Sequence, residues 1–410
     1  MTSIKYTRID VYTFVNLITR NLNMTLHLQS YKSQINKLET RTLKISQKTI
    51  WVFVELQIGD FVGTGEATLG GYESDVIENC HQIARQLNAG QLASFASNKL
   101  SSGPQKMPPI MATALSAIEQ AVYDAESQKQ NLPLGQLINP QQKPSNTTYY
   151  ANINRGVTER TPEGFARAAN LATNCGYKYI KFAPFDGISA VEKNVTNFDA
   201  ALDHSVACIE AVHNIIQGKA RFMIDCHSRF NLNAALKMLE RIKNFEPYWI
   251  EEPIPEKAEN ISQILEFRQT ANNYGILVAG LEKLYGRNRF QKFIDANIYD
   301  VILPDLRWCG GIEEFTHIAN AVRNAGQSIS FHNPSGPVLN AVTLQVARSM
   351  PDQVILECQF NESPAFYDII ETGRSNWTSM PNVSDLNGPG IGLTLSKSIP
   401  WDDFQKSIFE

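Results

Sequence analysis

The chain has 410 residues, 43% hydrophobic and 19% charged, which is the balance of a globular protein rather than a disordered or fibrous one. That length exceeds one ordinary core, so two domains, or one large barrel with an addition, are expected. A net charge of −4 argues against nucleic-acid or anionic-membrane binding, and no apolar run is long enough to span a bilayer.

The first residues, MTSIKYTRIDVYTFV, carry no apolar stretch of signal-peptide length, and a cytoplasmic location is the expectation. Six cysteines, at 80, 175, 208, 226, 309 and 358, are scattered without a C-x-x-C pair, which points to neither a zinc site nor a disulfide framework. TRIDVYTFV and TIWVFVELQIGDFVGTGEATL read as strands of a small antiparallel sheet, the second broken by Gly63 and Gly65. The polar residues between them, 18–48, read as a mobile loop and a candidate lid. YESDVIENCHQIARQL and IMATALSAIEQAVYDAESQK space their apolar residues by three and four and predict helices. NLPLGQLINPQQKPSN, rich in Pro, Asn and Gln, then reads as a domain boundary.

From about residue 147 short apolar runs recur: TYYANI, YIKFA, RFMIDC, YWIEE, ILVAG, DVILP, SISFH and VILEC. Amphipathic helical sequence such as TPEGFARAANLATNCG and IEEFTHIANAVRNAG fills most of the intervals, and eight such units close most naturally into a barrel. No G-x-G-x-x-G follows a strand, so a dinucleotide fold has no support. The expected fold class is α/β: an α+β domain over 1–143, a modified TIM barrel over 144–385, and a C-terminal segment, 386–410, returning to the first domain.

Chemistry in such a barrel sits at the carboxyl ends of its strands. Those ends are, in order, Lys181; Asp225 and His227; Glu251 and Glu252; Glu282; Asp305; His332; and Glu357. Strands three to five thus contribute a carboxylate each, and acids held together need a hard cation, Mg²⁺ or Mn²⁺ rather than zinc. Asp305 beside His332 makes an acid/base dyad. Lys181 pointing into the barrel mouth needs an anion. In FMIDCHSRF, extended alternation turns Asp225, His227 and Arg229 to one face.

These residues in this order resemble the enolase superfamily, in its mandelate racemase/muconate-lactonizing branch. GTGEATL and ALSAIEQAVYDAESQKQNLPLGQLI carry the likeness in the first, capping domain. WIEEP, LEKLYGR, PDLRWCGGI and PGIGL carry it in the rest. The resemblance implies Asp225, Glu251 and Glu282 as ligands of one Mg²⁺ per subunit, with Mn²⁺ an alternative. It also implies an Asp305–His332 dyad, and Glu357 hydrogen-bonded to the substrate carboxylate. DCHSRF is similar to the D-x-H-x-R run of mannonate dehydratases, which implies His227 in proton transfer and Arg229 on substrate. Two departures stand out. Ala183 replaces the second lysine of the racemases' K-x-K, removing their opposing base, and Leu281 replaces a glycine.

The implied activity is dehydration of an aldonate or aldarate to a 2-keto-3-deoxy acid. The α-proton is abstracted to an enediolate beside the metal, and β-elimination of water follows. An epimerase, a racemase, a cycloisomerase or a non-catalytic member is the alternative. Arg155, Arg229, Arg307 and Asn333 are candidate substrate contacts. Residues 18–48 and the GGYES turn are candidate specificity loops, and a homo-oligomer is the expected assembly.

Overall fold

A computed structural model describes residues 34–46, 49–86, 91–92, 100, 109–142, 147–188, 198–372, 386–399 and 401. The strand read at TRIDVYTFV lies outside them. Among the described residues, a small α+β unit precedes a ring of eight parallel strands.

The first unit is an antiparallel sheet of β1 (Lys37–Lys44), β2 (Ile50–Ile58) and β3 (Phe61–Glu66), in that order. Helices α1 (Glu73–Gln86) and α2 (Ile110–Lys129) pack against it. Two readings of the sequence change here. Part of the segment taken as a lid, 37–44, is β1, paired along its whole length with β2; its residues 18–33 lie outside the described ones. Its polarity reflects an edge strand with one wet face. Gly63 and Gly65 do not break β3 either. A Cβ on Gly63 would lie 1.8 Å from the Ala121 carbonyl oxygen, and one on Gly65 2.0 Å from that of Ala117, so the glycines let α2 lie directly on the strand.

After the short helix α3 (Leu134–Ile138), the barrel runs through β4 (Thr148–Asn152), α4 (Pro162–Asn174), β5 (Tyr179–Phe182), α5 (Phe198–Ile216), β6 (Arg221–Asp225) and α6 (Leu232–Ile242). It continues through β7 (Trp249–Glu251), α7 (Ile261–Asn272), β8 (Leu277–Gly280), α8 (Arg287–Asp295) and β9 (Val301–Ile302). A four-residue helix, α9 (Leu306–Cys309), precedes α10 (Ile312–Asn324), β10 (Ser328–Ile329), α11 (Pro337–Ser349) and β11 (Ile355–Gln359). The strands pair in the order β10-β9-β8-β7-β6-β5-β4-β11, and a parallel bridge between Phe331 and Leu356 joins the two ends of the sheet. Tyr150, Met223, Trp249, Ala279, Val301 and Leu303 fill the barrel, while the alternate strand residues face the helices. Each of β4 and β6–β9 therefore has a known inward parity.

The stretch read as a boundary includes α3, which docks on α11 and the C-terminal turn: Gly135 N–H donates to Gln345 Oε1, and Leu134 N–H to the Gly390 carbonyl. The strand expected after that turn, β13 (Thr394–Leu395), pairs with β12 (Ile370–Thr372). Helix α12 (Ala365–Asp368) precedes that pair. Among the described residues, no helix is long and apolar enough to cross a membrane.

Three buried carboxylates of the first unit receive backbone N–H groups. Glu66 accepts from Gly336 and Leu339 at the start of α11, and Glu119 from Ile312 and Glu313 at the start of α10. Each satisfies donors that a helix N-terminus leaves free. Gly311 has φ +107°, and a Cβ there would lie 1.7 Å from Glu119 Oε2, which is the physical content of the GGI triplet. Asp124 accepts from Thr64 at 2.8 Å and Ile391 at 2.9 Å.

Burial pushes the Asp124 carboxyl up from 3.8 to about 6, against the opposing pull of its hydrogen bonds. Its folded value lies above the unfolded one, so between about pH 4 and 6 the folded chain holds the extra proton, and this group's contribution to stability falls as pH rises. The gap between those two values corresponds to about 3 kcal/mol. Asp124→Asn should therefore gain stability relative to the parent, by up to that amount, between pH 4.5 and 7.5 in chemical denaturation. A pH-independent difference would mean that Asp124 is ionised throughout.

Candidate active site

Strands β6 and β7 end on their inward-facing residues, Asp225 and Glu251, two places beyond Met223 and Trp249. β8 has the other parity: Ala279 faces in, so simple alternation would send Leu281 inward and Glu282 out. Leu281 has φ +75°, a left-handed backbone that costs an L-residue about 1 kcal/mol or more, and it turns Glu282 into the barrel. The result is a triad, Asp225, Glu251 and Glu282, with one oxygen from each within 4.8 Å of the others. The glycine expected in place of Leu281 would take this conformation without strain.

All three acids are buried, at 6%, 0% and 3% exposure. Glu282 Oε2 receives no hydrogen bond. Burial holds Glu251 well above the usual carboxylate range despite the adjacent Lys181 ammonium. Three buried carboxylates that each turn an oxygen to one point suit a small hard dication.

Lys181, 1% exposed, lies behind the triad with Nζ 2.7 Å from Glu251 Oε1 and 3.1 Å from Glu357 Oε1. Burial alone would lower its pKa; Glu251 and Glu357 outweigh that and keep it an ammonium. Asn152 Nδ2 donates to Glu357 Oε1 at 2.6 Å, and Asn333 N–H to Glu357 Oε2 at 2.7 Å.

On the neighbouring strands, His332 Nδ1 lies 2.9 Å from Asp305 Oδ2, and Asp305 is fully buried. That carboxylate also caps α9 through the Arg307 and Trp308 amides. Burial would raise the Asp305 pKa, but the Arg307 guanidinium and His332 together hold it below its ordinary value. An ionised Asp305 on Nδ1 leaves Nε2 as the working nitrogen. His332 Nε2 lies 3.1 Å from Glu282 Oε2, toward the triad. Trp308 covers the imidazole, with ring centroids 5.1 Å apart.

His227 and Arg229 depart from extended alternation because His227 and Ser228 have φ +48° and +58°. His227 Nε2 still returns to Asp225 Oδ2, at 2.8 Å, with its side chain 39% exposed. Burial lowers the His227 pKa, the Asp225 and Glu282 charges raise it, and the net direction is upward. Arg229 Nη1 donates to the carbonyls of Phe185, Asp186 and Ile188, so it holds the loop after β5. Arg307 is buried, with Nη2 on Asp305 at 2.8 Å and Nη1 on the Thr68 carbonyl at 2.6 Å, which ties the dyad to the first unit. Arg155 faces Glu362 at 3.4 Å.

Three neighbours of the site escape sequence reading. Asn152 had a signal, since it is the last inward residue of the first strand. Lys283, 2.7 Å from Glu252 and 3.1 Å from Glu282, stands next to a read acid in LEKLYGR. Trp308 had none, because its position depends on the helical turn that Asp305 caps.

Comparison with known proteins agrees with this architecture. A family profile described as enolase C-terminal domain-like matches residues 164–399, and one for the mandelate racemase / muconate lactonizing enzyme N-terminal domain matches 35–139. A D-xylonate dehydratase of Haloferax volcanii is 24% identical over 365 residues, covering 87% of this chain and 86% of its own length. A D-galactonate dehydratase of Klebsiella pneumoniae is 24% identical, covering 85% and 89%. Among solved structures, a mandelate racemase/muconate lactonizing enzyme-like protein from Rubrobacter xylanophilus superposes with a TM-score of 0.77 at 22% identity, over 89% of this chain and 96% of that one, a likeness of fold.

Proposed function

The chain belongs to the mandelate racemase/muconate lactonizing enzyme family, and from that premise we propose that it is a hydro-lyase converting a sugar acid to its 2-keto-3-deoxy product. The observation that carries this reading is a pair of imidazoles at the triad without the racemases' opposing lysine: His332 Nε2 lies on Glu282, His227 Nε2 on Asp225, and Ala183 occupies that lysine's place. Racemisation needs a base on both faces of the α-carbon. Lys181, pinned as an ammonium between two carboxylates, is a poor second base.

A divalent cation, Mg²⁺ or Mn²⁺, held by Asp225, Glu251 and Glu282 would supply fixed positive charge beside the substrate carboxylate, which makes the α-proton removable. Lys181 adds a second positive charge where the enediolate oxygens develop. Glu357, held by Asn152 and the Asn333 amide, hydrogen-bonds the substrate carboxylate as a donor when it carries a proton, since two carboxylates share a hydrogen bond only through one. His332 takes the α-proton at Nε2, and Asp305 keeps the ring in the right tautomer and supports the imidazolium. His227 then protonates the departing β-hydroxyl; it is the more exposed imidazole of the two, able to recharge from solvent. The resulting enol tautomerises to the keto acid.

Incubation of the protein and Mg²⁺ with a panel of aldonates and aldarates should yield a 2-keto acid from at least one. Exchange of the α-proton with recovery of an epimer, and no keto acid, would sink the dehydratase reading. His227→Asn should lower dehydration roughly 100-fold while leaving α-proton exchange measurable, since the enediolate can still form and return. Near-parental turnover in that variant would take His227 out of the reaction.

A further inference from the structure

Two carboxamides beside the candidate site are buried with nothing to bind. Gln359 is 6% exposed and Asn333 1%, and among the described residues neither side chain has a hydrogen-bond partner at its oxygen or its nitrogen. Buried amides without partners are rare, because folding strips water from a donor and an acceptor and returns nothing.

Their placement suggests what they wait for. Along β11, Ile355 packs against the barrel-filling cluster and Glu357 reaches Lys181, whereas Leu356 and Cys358 join the outer core. Alternation therefore aims Gln359 inward as well, about 7 Å beyond Glu357 toward the barrel mouth. The ladder pairs Gln359 with Asn152, whose amide holds Glu357, and Asn333 follows His332 on the other side of the same carboxylate.

The reacting end of a bound acid belongs at Lys181, Glu357 and the triad, so the rest of its chain extends past Gln359. Resting on the dehydratase reading, we infer that Gln359 is a specificity-determining residue: its carboxamide hydrogen-bonds hydroxyls of the substrate beyond the two reacting carbons. One donor and one acceptor on a rigid plane match a pair of neighbouring hydroxyls. The carboxamide is neutral, and among the described residues Arg229, Arg307 and Arg155 are engaged by carbonyls, by Asp305 and by Glu362, so none of these three is set to meet a second carboxylate. The substrate class this selects is the aldonates, with one carboxylate and a hydroxylated tail, over the aldarates.

The test compares a five- or six-carbon aldonate that the parent protein dehydrates with the same acid lacking its distal hydroxyls. Removing the Gln359 amide as Gln359→Met should lower kcat/KM on the full aldonate 10–100-fold, mainly through KM, and leave the deoxy acid within threefold. Discrimination between the two acids should therefore collapse. Gln359→Asn, which keeps the amide but shortens its reach, should give a smaller loss confined to the full aldonate, and it serves if the methionine variant does not fold. Unchanged discrimination in these variants, with the parent active, overturns the inference alone. A parental preference for the aldarate also overturns it. A parent that forms no keto acid from any aldonate or aldarate overturns the dehydratase reading and this inference together.

Discussion

His332→Asn is expected to lose both α-proton exchange and keto-acid formation, by about 10⁴-fold, the upper end of what a positioned base contributes. The geometry makes the loss total rather than partial. His332 Nε2 lies 3.1 Å from Glu282, and its Nδ1 is committed to Asp305 at 2.9 Å, whereas among the described residues His227 has no second carboxylate to keep its ring in one tautomer. Asparagine can still hydrogen-bond Asp305, so the Arg307–Asp305 pair and the α9 cap survive. Circular dichroism and Mg²⁺ affinity should therefore stay near parental values while turnover disappears. Residual exchange above a few per cent would mean that another group, such as Lys181, starts the reaction.

Glu251→Gln should weaken Mg²⁺ binding by more than the roughly 10–100-fold that losing a supporting outer group costs. The central acid of the triad accepts from Lys181 at 2.7 Å and from Trp249 Nε1 at 3.1 Å, so its carboxylate is oriented from behind by two donors. A glutamine removes a full charge and turns an amide toward Lys181 or toward the cation. Lys181 keeps Glu357 as a counter-charge, which limits the folding cost. Calorimetric titration with Mg²⁺ reads the effect without requiring activity. Unchanged affinity would remove Glu251 from the ligand set and turn attention to Glu252, which Lys283 holds at 2.7 Å.

The barrel is legible in the sequence because each strand is a short apolar run that ends in a polar residue of one parity, and eight runs at βα spacing have few other ways to close. The same parity makes Asp225, Glu251 and Asp305 legible. Glu282 is readable as a strand-end acid, but its inward turn is not, because it depends on a left-handed leucine that alternation would forbid. β1 was hidden by its polarity, since a half-wet edge strand and a loop have similar composition. The arginines are the hardest case. A guanidinium reaches far enough to serve substrate, loop or carboxylate, and only packing decides that Arg229 holds carbonyls and Arg307 holds Asp305. Gln359 was readable two places after Glu357, but a neutral amide carries no charge to draw notice.

The most direct test of the proposed reaction is proton NMR of an aldonate turned over in D₂O with Mg²⁺. Elimination takes the hydrogen from C2 and the hydroxyl from C3, and the enol then accepts one hydrogen from solvent at C3. The expected result is a 2-keto-3-deoxy acid carrying one deuterium at C3, with no conversion once the divalent cation is chelated. A C2-deuterated epimer without keto acid, or keto acid formed at an equal rate after chelation, would contradict it.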